Sequence, residues 1–186
     1  MRLYIGLIHY PVYNKNRQKI ASAITTFDLH DLSRLARTYD VKRLFVINPL
    51  EDQQRLAERV LRHWATGYGA TYNRYRKEAI ELISVVPSLE DSVREIIETE
   101  QEPPLLIATD ASRQAEGSLT YGEAASIIHS EKVVFLLLGT AWGLDADLMR
   151  KADHILDPVE GVTDYNHLSV RTAAAIILDR LAGRYE

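Results

Sequence analysis

Short apolar runs alternate with longer segments of helical periodicity along this chain. Apolar pulses of strand length fall at Leu3–Ile8, Arg43–Ile47, Leu82–Val86, Leu105–Thr109, Val133–Leu138 and His154–Leu156. Helix-period segments lie between them, near Asp28–Tyr39, Glu51–Tyr68, Leu89–Glu100, Tyr121–His129, Asp145–Lys151 and Leu168–Leu181. Such alternation predicts an α/β fold, a mostly parallel sheet with helices on both faces. Ser88 with Asp91, and Thr120 with Glu123, read as capping boxes at two helix starts. Pro87, Pro103, Pro104 and Pro158 punctuate the element ends. In the last helix only Arg171, Thr172, Asp179 and Arg180 form a polar stripe, so it is expected between layers or against a second subunit. Tyr10–Thr25 is the longest segment that reads as irregular, and such loops are usually functional or mobile. No repeat, low-complexity tract or linker divides residues 1–186, which are expected to form a single domain.

Hydrophobic residues make up 46% of the chain and charged residues 26%, as in soluble globular proteins. No apolar run reaches the roughly 18 residues of a membrane span. Met1–His9 reads as a first strand rather than a signal peptide, and a cytoplasmic setting is the default. The absence of cysteine removes disulfides, thiolate metal sites and thiol nucleophiles. The histidines, His9, His30, His63, His129, His154 and His167, show no paired metal spacing, so no metal is expected. Net charge is −4, but it is unevenly spread. Residues 1–77 carry 14 Lys/Arg against 6 Asp/Glu, and the remainder carries 8 against 20. Either the first part makes a basic surface that steers a polyanion, or Arg55, Arg59 and Arg62 are simply the solvated face of one helix.

The candidate chemistry concentrates in the last third. The Val133–Leu138 run ends on Gly139, Thr140, Ala141, Trp142 and Gly143, and the His154–Leu156 pulse ends on Asp157, Pro158, Val159, Glu160 and Gly161. Open α/β sheets bind ligands outside such carboxyl strand ends. Neither a phosphate loop nor a dinucleotide fingerprint is present. Thr109 and Asp110 end another strand beside the same cleft, where Asp110 either contacts a ligand or caps a turn. Trp142 is either core, the plainer reading, or a stacking surface for a base or adenine. His167 is either a general base or, more simply, a hydrogen-bonding residue at the entry of the last helix. Asp28, Asp31 and Arg34 lie at i, i+3 and i+6 on roughly one face of the first helix. The carboxylates suit the helix dipole there, and Asp31 with Arg34 fits a surface pair.

Two stretches resemble the SPOUT RNA methyltransferases. A strand ending on Leu138 and Gly139, with Gly143 and Leu144 following, resembles that family's second motif. Pro158, Val159 and Gly161, then Leu168, Ser169 and Val170 opening an Ala/Ile helix, resemble its third. The resemblance implies a C-terminal deep trefoil knot, S-adenosylmethionine as cofactor, a homodimer, and tRNA or rRNA as substrate, methylated on a ribose oxygen or a base nitrogen. It implies an adenine slot walled by Leu138, Leu156 and Leu168, with hydrogen bonds from Gly139, Gly143 and the backbone of residues 155–170. Thr109, Asp110, Thr140, Trp142, Asp157, Pro158, Val159, Asn166, His167 and Ser169 complete the implied cofactor set. Arg34, seven residues before Val41, resembles the arginine of the first motif, N-x-G-x-x-x-R in the TrmH-like branch. On that match Arg34 approaches the substrate or the partner's cofactor, with Asp28 as base or as orienter of an arginine. Asp28 stands where that branch has Asn, His30 where it has Gly, and Thr140 and Ala141 replace the usual Glu. Should Arg34 not serve, the cluster Arg74–Lys77 is the next source of a catalytic arginine. The alternatives are a non-catalytic Rossmann-like nucleotide-binding or sensor domain, and a SPOUT-shaped protein that binds RNA without methyl transfer.

Overall fold

Two strands, β1 (Arg2–Ile8) and β7 (Val133–Gly139), lie side by side at the centre of a six-stranded sheet. The computed structural model describes residues 1–113 and 117–184. From β1 the chain builds one half outward through β4 (Arg43–Ile47) to β5 (Ile83–Val86). The other half contains β6 (Leu105–Thr109) and β8 (His154–Leu156), giving the order β5-β4-β1-β7-β6-β8. Every neighbouring pair is parallel. Helices cover both faces of such a sheet, which is why its central strands read as nearly unbroken apolar runs.

Alternate residues of each strand feed two separate cores. Leu3, Ile5, Leu7, Leu136 and Leu138 pack under α1 (Thr26–Thr38), α2 (Glu51–Ala65), α6 (Tyr121–Ile128) and α8 (Val170–Ala182). Tyr4, Ile8, Phe45, Phe135 and Leu137 pack under α5 (Leu89–Glu100) and α7 (Ala146–Lys151). The apolar α8 lies between α1 and α6, and buries Ala174, Ile177, Leu178 and Leu181 in the first core. Thr120 and Glu123 form the reciprocal capping box expected of them. At the other expected box, the Ser88 hydroxyl accepts from the Asp91 N–H and donates to its carboxylate.

Two stretches differ from the sequence expectation. Tyr10–Thr25 is not wholly irregular, because Val12–Tyr13 (β2) pairs antiparallel with Lys19–Ile20 (β3). Two-residue strands are too short to leave a periodic signal. The helix expected over Glu51–Tyr68 stops at Ala65, and two further helices follow, α3 (Tyr68–Tyr72) and α4 (Arg74–Ile80). Thr66 and Gly67 break the run, and the Asn73 side chain caps α4 by accepting from the Arg76 N–H. Among the described residues no helix is long and apolar enough to cross a membrane.

Candidate functional site

The carboxyl ends of β1 and β7 are adjacent, yet the chain leaves them toward opposite faces, into α1 and into α7. A crevice opens where connections diverge in this way. His9 directly follows β1 there and is fully buried. Its Nδ1 lies 2.8 Å from Ser22 Oγ, which lies 2.6 Å from Thr140 Oγ1. Thr140 in turn donates to the Ile8 carbonyl at 2.9 Å, and the Asn48 amide donates to the Ser22 carbonyl at 3.0 Å. Burial pushes the His9 imidazole down to about 4, with the Asp28 carboxylate acting in the opposite sense. His9 is therefore neutral at pH 7, and its Nε2 has no hydrogen-bond partner.

The loop after β7 is held by the β2–β3 hairpin. Trp142 N–H donates to the Tyr13 carbonyl at 2.9 Å, and Tyr13 N–H donates to the Gly143 carbonyl at 3.0 Å. Lys19 reaches Asp145 at 2.5 Å and Asp147 at 3.1 Å, fastening the hairpin to the start of α7. Gly143, expected to offer backbone hydrogen bonds to a ligand, has both its N–H and its carbonyl engaged within the chain, with the Thr140 carbonyl and the Tyr13 N–H. Ala141 and Gly143 take left-handed conformations, with φ of 53° and 94°. The tight turn lifts Trp142 out of the core. It is 57% exposed, which overturns the reading of this residue as core.

Three loops meet beside that tryptophan. After β6, the Thr109 hydroxyl donates to the Leu137 carbonyl at 3.0 Å, and Asp110 Oδ1 accepts from the Ser112 N–H at 3.0 Å. After β8, Asp157 N–H donates to the Leu119 carbonyl, and the Asp157 carboxylate accepts from the Ser118 hydroxyl. Pro158 is buried and Val159 packs against the first core. Asn166 Nδ2 donates to the Ala111 carbonyl at 2.5 Å, tying the loop before α8 to the loop after β6. The His167 ring lies 5.8 Å from that of Trp142 and 6.5 Å from that of Tyr165. The Ser169 side chain caps the entry of α8, accepting from Thr172 N–H. Leu138 and Leu156 do not wall an open slot with their side chains, both of which are packed in the core. Leu168 is exposed.

The first turns of α1 and α8 supply a charged pair. Arg171 Nη1 lies 2.7 Å from Asp28 Oδ1, and its Nε lies 3.3 Å from Asp31 Oδ2. Asp28 Oδ2 accepts from the Thr25 hydroxyl at 2.6 Å, so both oxygens of this buried carboxylate are occupied. Asp31 pairs with Arg171 and not with Arg34 as the helix spacing suggested. Arg34 is exposed two turns further down α1, about 9 Å from Asp28 along the axis at the usual helical rise. Arg171 read as part of a solvated stripe. A cation at the start of a helix opposes the dipole, and that is the one local signal of its carboxylate partners. His9 left no signal, since a lone histidine at a strand end has no telling spacing.

The loops beside Trp142 carry Asp110, Asp157, Glu160 and Asp164 on their side of the molecule. Arg113 offsets part of this charge, through Glu160 at 2.8 Å and Asp157 at 3.6 Å. Exposed residues between 160 and 168, an exposed indole and a cluster of carboxylates suit a ligand with an aromatic base, a ribose and positive charge. S-adenosylmethionine has those features and no phosphate. Among the described residues, no group of His, Cys, Asp and Glu is placed to hold a metal.

Comparison with known proteins agrees with this chemistry. Residues 2–183 match a family model described as SAM-dependent RNA methyltransferase. The chain is 40% identical over 181 residues to a tRNA (guanine-N(1)-)-methyltransferase of Oleidesulfovibrio alaskensis, covering 97% of this chain and 42% of the relative. It thus spans less than half the length of that relative. An uncharacterized protein of Aquifex aeolicus is 36% identical over 183 residues, covering 98% of this chain and 89% of its own length. The SpoU methyltransferase AviRb of Streptomyces viridochromogenes superposes with a TM-score of 0.61 at 15% identity, over 97% of this chain and 58% of that one, a likeness of fold. The chain belongs to the SAM-dependent RNA methyltransferase family.

Proposed function

We propose that this chain transfers a methyl group to RNA from S-adenosylmethionine held where the loops after β6, β7 and β8 converge. The observation that carries the reading is that convergence, tied by the Asn166–Ala111 hydrogen bond and the Trp142–His167 ring contact beside the β1/β7 crevice. Trp142 and Leu168 offer apolar surface, and the backbone of residues 160–168 offers hydrogen bonds. Asp110 and Asp157 stand beside the ribose or the ammonium group. Leu138, Gly139, Thr140, Leu156, Pro158 and Val159 shape the floor, and Gly143 leaves the slot open. When bound, S-adenosylmethionine supplies a methyl group made electrophilic by its sulfonium.

The chain's own work is positioning, because attack on a methyl carbon needs the acceptor atom in line with the breaking bond. Asp28 has no free oxygen and acts as an orienter, of Arg171 rather than Arg34. Arg34 holds an RNA phosphate leading into the site. A base is required only where the acceptor atom must lose a proton, and His167 is the exposed candidate for that step. The C-terminal loops form the trefoil knot of the SPOUT enzymes, two copies complete the site, and the substrate is tRNA or rRNA. The setting is the cytoplasm.

Calorimetry with S-adenosylmethionine and its demethylated product, together with transfer of labelled methyl to RNA from a strain lacking the protein, tests the reading. Binding and transfer by the wild type are expected. Arg34→Ala and Arg34→Lys should bind cofactor but lose transfer, since lysine cannot reproduce the planar fork of arginine. Failure to bind the cofactor favours a nucleotide sensor, and binding of cofactor and RNA without transfer favours a non-catalytic RNA-binding protein.

A further inference from the structure

Below the carboxyl edge of the sheet, a groove of about 540 Å³ runs between α1 and α4. Arg34, Arg37 and Thr38 line one side, and Asn73, Tyr75 and Arg76 line the other. Glu78 also lines it, but Arg74 engages its carboxylate at 3.0 Å. Among the described residues, Arg34 and Arg37 enter no salt bridge, so their charge faces the groove uncompensated. Arg76 is held in place, its guanidinium 4.5 Å over the Trp64 ring. Trp64 is itself packed edge-on by His30 and His63, at 5.4 and 5.1 Å. At Gly69 a Cβ would come within 2.5 Å of the Trp64 ring, so the close packing of α3 on this tryptophan requires glycine. The result is a rigid platform.

That platform displays aromatic surface. Tyr75 is 84% exposed, and Tyr68 and Tyr72 are 76% and 75% exposed. The last two stack on each other, 6.1 Å apart at an interplanar angle of 23°. Three exposed phenol rings within eight residues leave much apolar area in water, and such patches mark binding surfaces. Unpaired arginines beside accessible aromatic rings suit an unstacked nucleic acid strand, with guanidinium groups on phosphates and bases on ring faces. A paired A-form helix keeps its base faces inside and cannot use the tyrosines.

We propose that the α1–α4 groove docks an unpaired RNA segment, with Arg34 and Arg37 on its phosphates and Tyr75 against a base. The inference rests on the RNA methyltransferase reading and adds where the substrate lies. From the groove the strand runs up α1 toward Asp28, Arg171 and the cofactor loops, so the segment bound here flanks the methylated nucleotide.

The test is fluorescence polarisation with a labelled single-stranded oligoribonucleotide and with a duplex of equal length. Wild type is compared with Tyr75→Ala, Tyr75→Phe, Arg37→Ala and the Tyr68→Ala/Tyr72→Ala double variant, with cofactor calorimetry and sedimentation run in parallel. Tyr75→Ala should weaken single-strand binding by about tenfold, the scale of one lost stacking contact, while Tyr75→Phe retains it. Arg37→Ala should lower the slope of log affinity against log salt by about 0.7, one phosphate contact to a single strand. Cofactor affinity should not change in either. Strong single-strand binding by the wild type that all variants retain overturns this inference alone. Duplex bound as tightly as single strand overturns it too. Conversion of a dimer to a monomer by Tyr75→Ala assigns the groove to a protein contact and likewise overturns it. No RNA binding by the wild type overturns both this inference and the functional reading beneath it.

Discussion

Arg171 Nη1 lies 2.7 Å from Asp28 Oδ1, joining the first turn of α8 to the first turn of α1 across 143 residues of sequence. The Asp28 side chain is 7% exposed and that of Arg171 33%, so the carboxylate depends on this one cation more than the cation depends on it. Arg171→Met should cost about 2 kcal/mol of stability, less than a fully buried pair would because solvent screens the guanidinium. Adding Asp28→Asn removes the stranded charge and should recover part of that loss. Urea unfolding of both single variants and the double variant measures the coupling. Strictly additive losses would show that the pair contributes nothing of its own.

His9 predicts a pH signature. Its imidazole titrates near 4 in the folded chain against 6.5 when unfolded, because burial opposes the charged form. Between those values the unfolded chain binds a proton that the folded one does not, so stability falls as pH drops from 6.5 toward 4. The loss across that window amounts to about 3 kcal/mol. His9→Gln should flatten the curve in that range, whatever its stability at pH 7. An unchanged pH dependence in His9→Gln would place the acid sensitivity elsewhere.

These two relationships mark where the sequence stops being legible. All six strands of the sheet were readable, because parallel strands covered on both faces leave continuous apolar runs. The three loops around Trp142 were readable as well, since glycine, proline and polar residues cluster directly after strand ends. What could not be read is contact between distant segments. Ser22 and Thr140 are 118 residues apart and bridge His9 to the β7 loop, and neither neighbourhood announces the other. Asp31 found Arg171 rather than the helical neighbour Arg34, because packing of α8 on α1 outweighed local spacing. The sequence does not decide between core and surface for Trp142 for a related reason. The turn through Ala141 and Gly143 is fastened by the β2–β3 hairpin, and two-residue strands carry no periodicity.

The proposed placement of the cofactor beside the β7 loop predicts a local reporter of its binding. A Cβ at Gly143 meets nothing within 4 Å, whereas at Gly139 it would come within 2.9 Å of the Leu144 backbone nitrogen. Gly139→Val therefore deforms the loop itself and is a poor probe. Gly143→Val adds bulk to open space, and its left-handed φ costs about 1–3 kcal/mol, so the protein should stay folded. Its affinity for S-adenosylmethionine should fall by about tenfold or more. In the wild type the ligand should change the emission of the exposed Trp142, and Trp142→Phe should abolish that change. Wild-type affinity in folded Gly143→Val would move the cofactor site away from this loop.

The exposed apolar side chains around the site predict association of two chains. Phe27, Val162, Tyr165 and Leu168 are all exposed, Phe27 with Arg171 5.8 Å from its ring and Tyr165 beside His167. Single exposed apolar residues are ordinary, but several on the first turn of α1 and the loop entering α8 are what a partner copy would cover. Sedimentation at micromolar protein should give about twice the 21.1 kDa chain mass. A charge buried at such an interface without a partner is costly, so Phe27→Asp and Leu168→Asp should each shift the equilibrium to monomer. Phe27 is far in sequence from the cofactor loops, which makes it the sharper probe. If Phe27→Asp yields a folded monomer that binds S-adenosylmethionine but transfers no methyl group, the partner copy completes the site. A folded monomer with full transfer would show that each chain works alone.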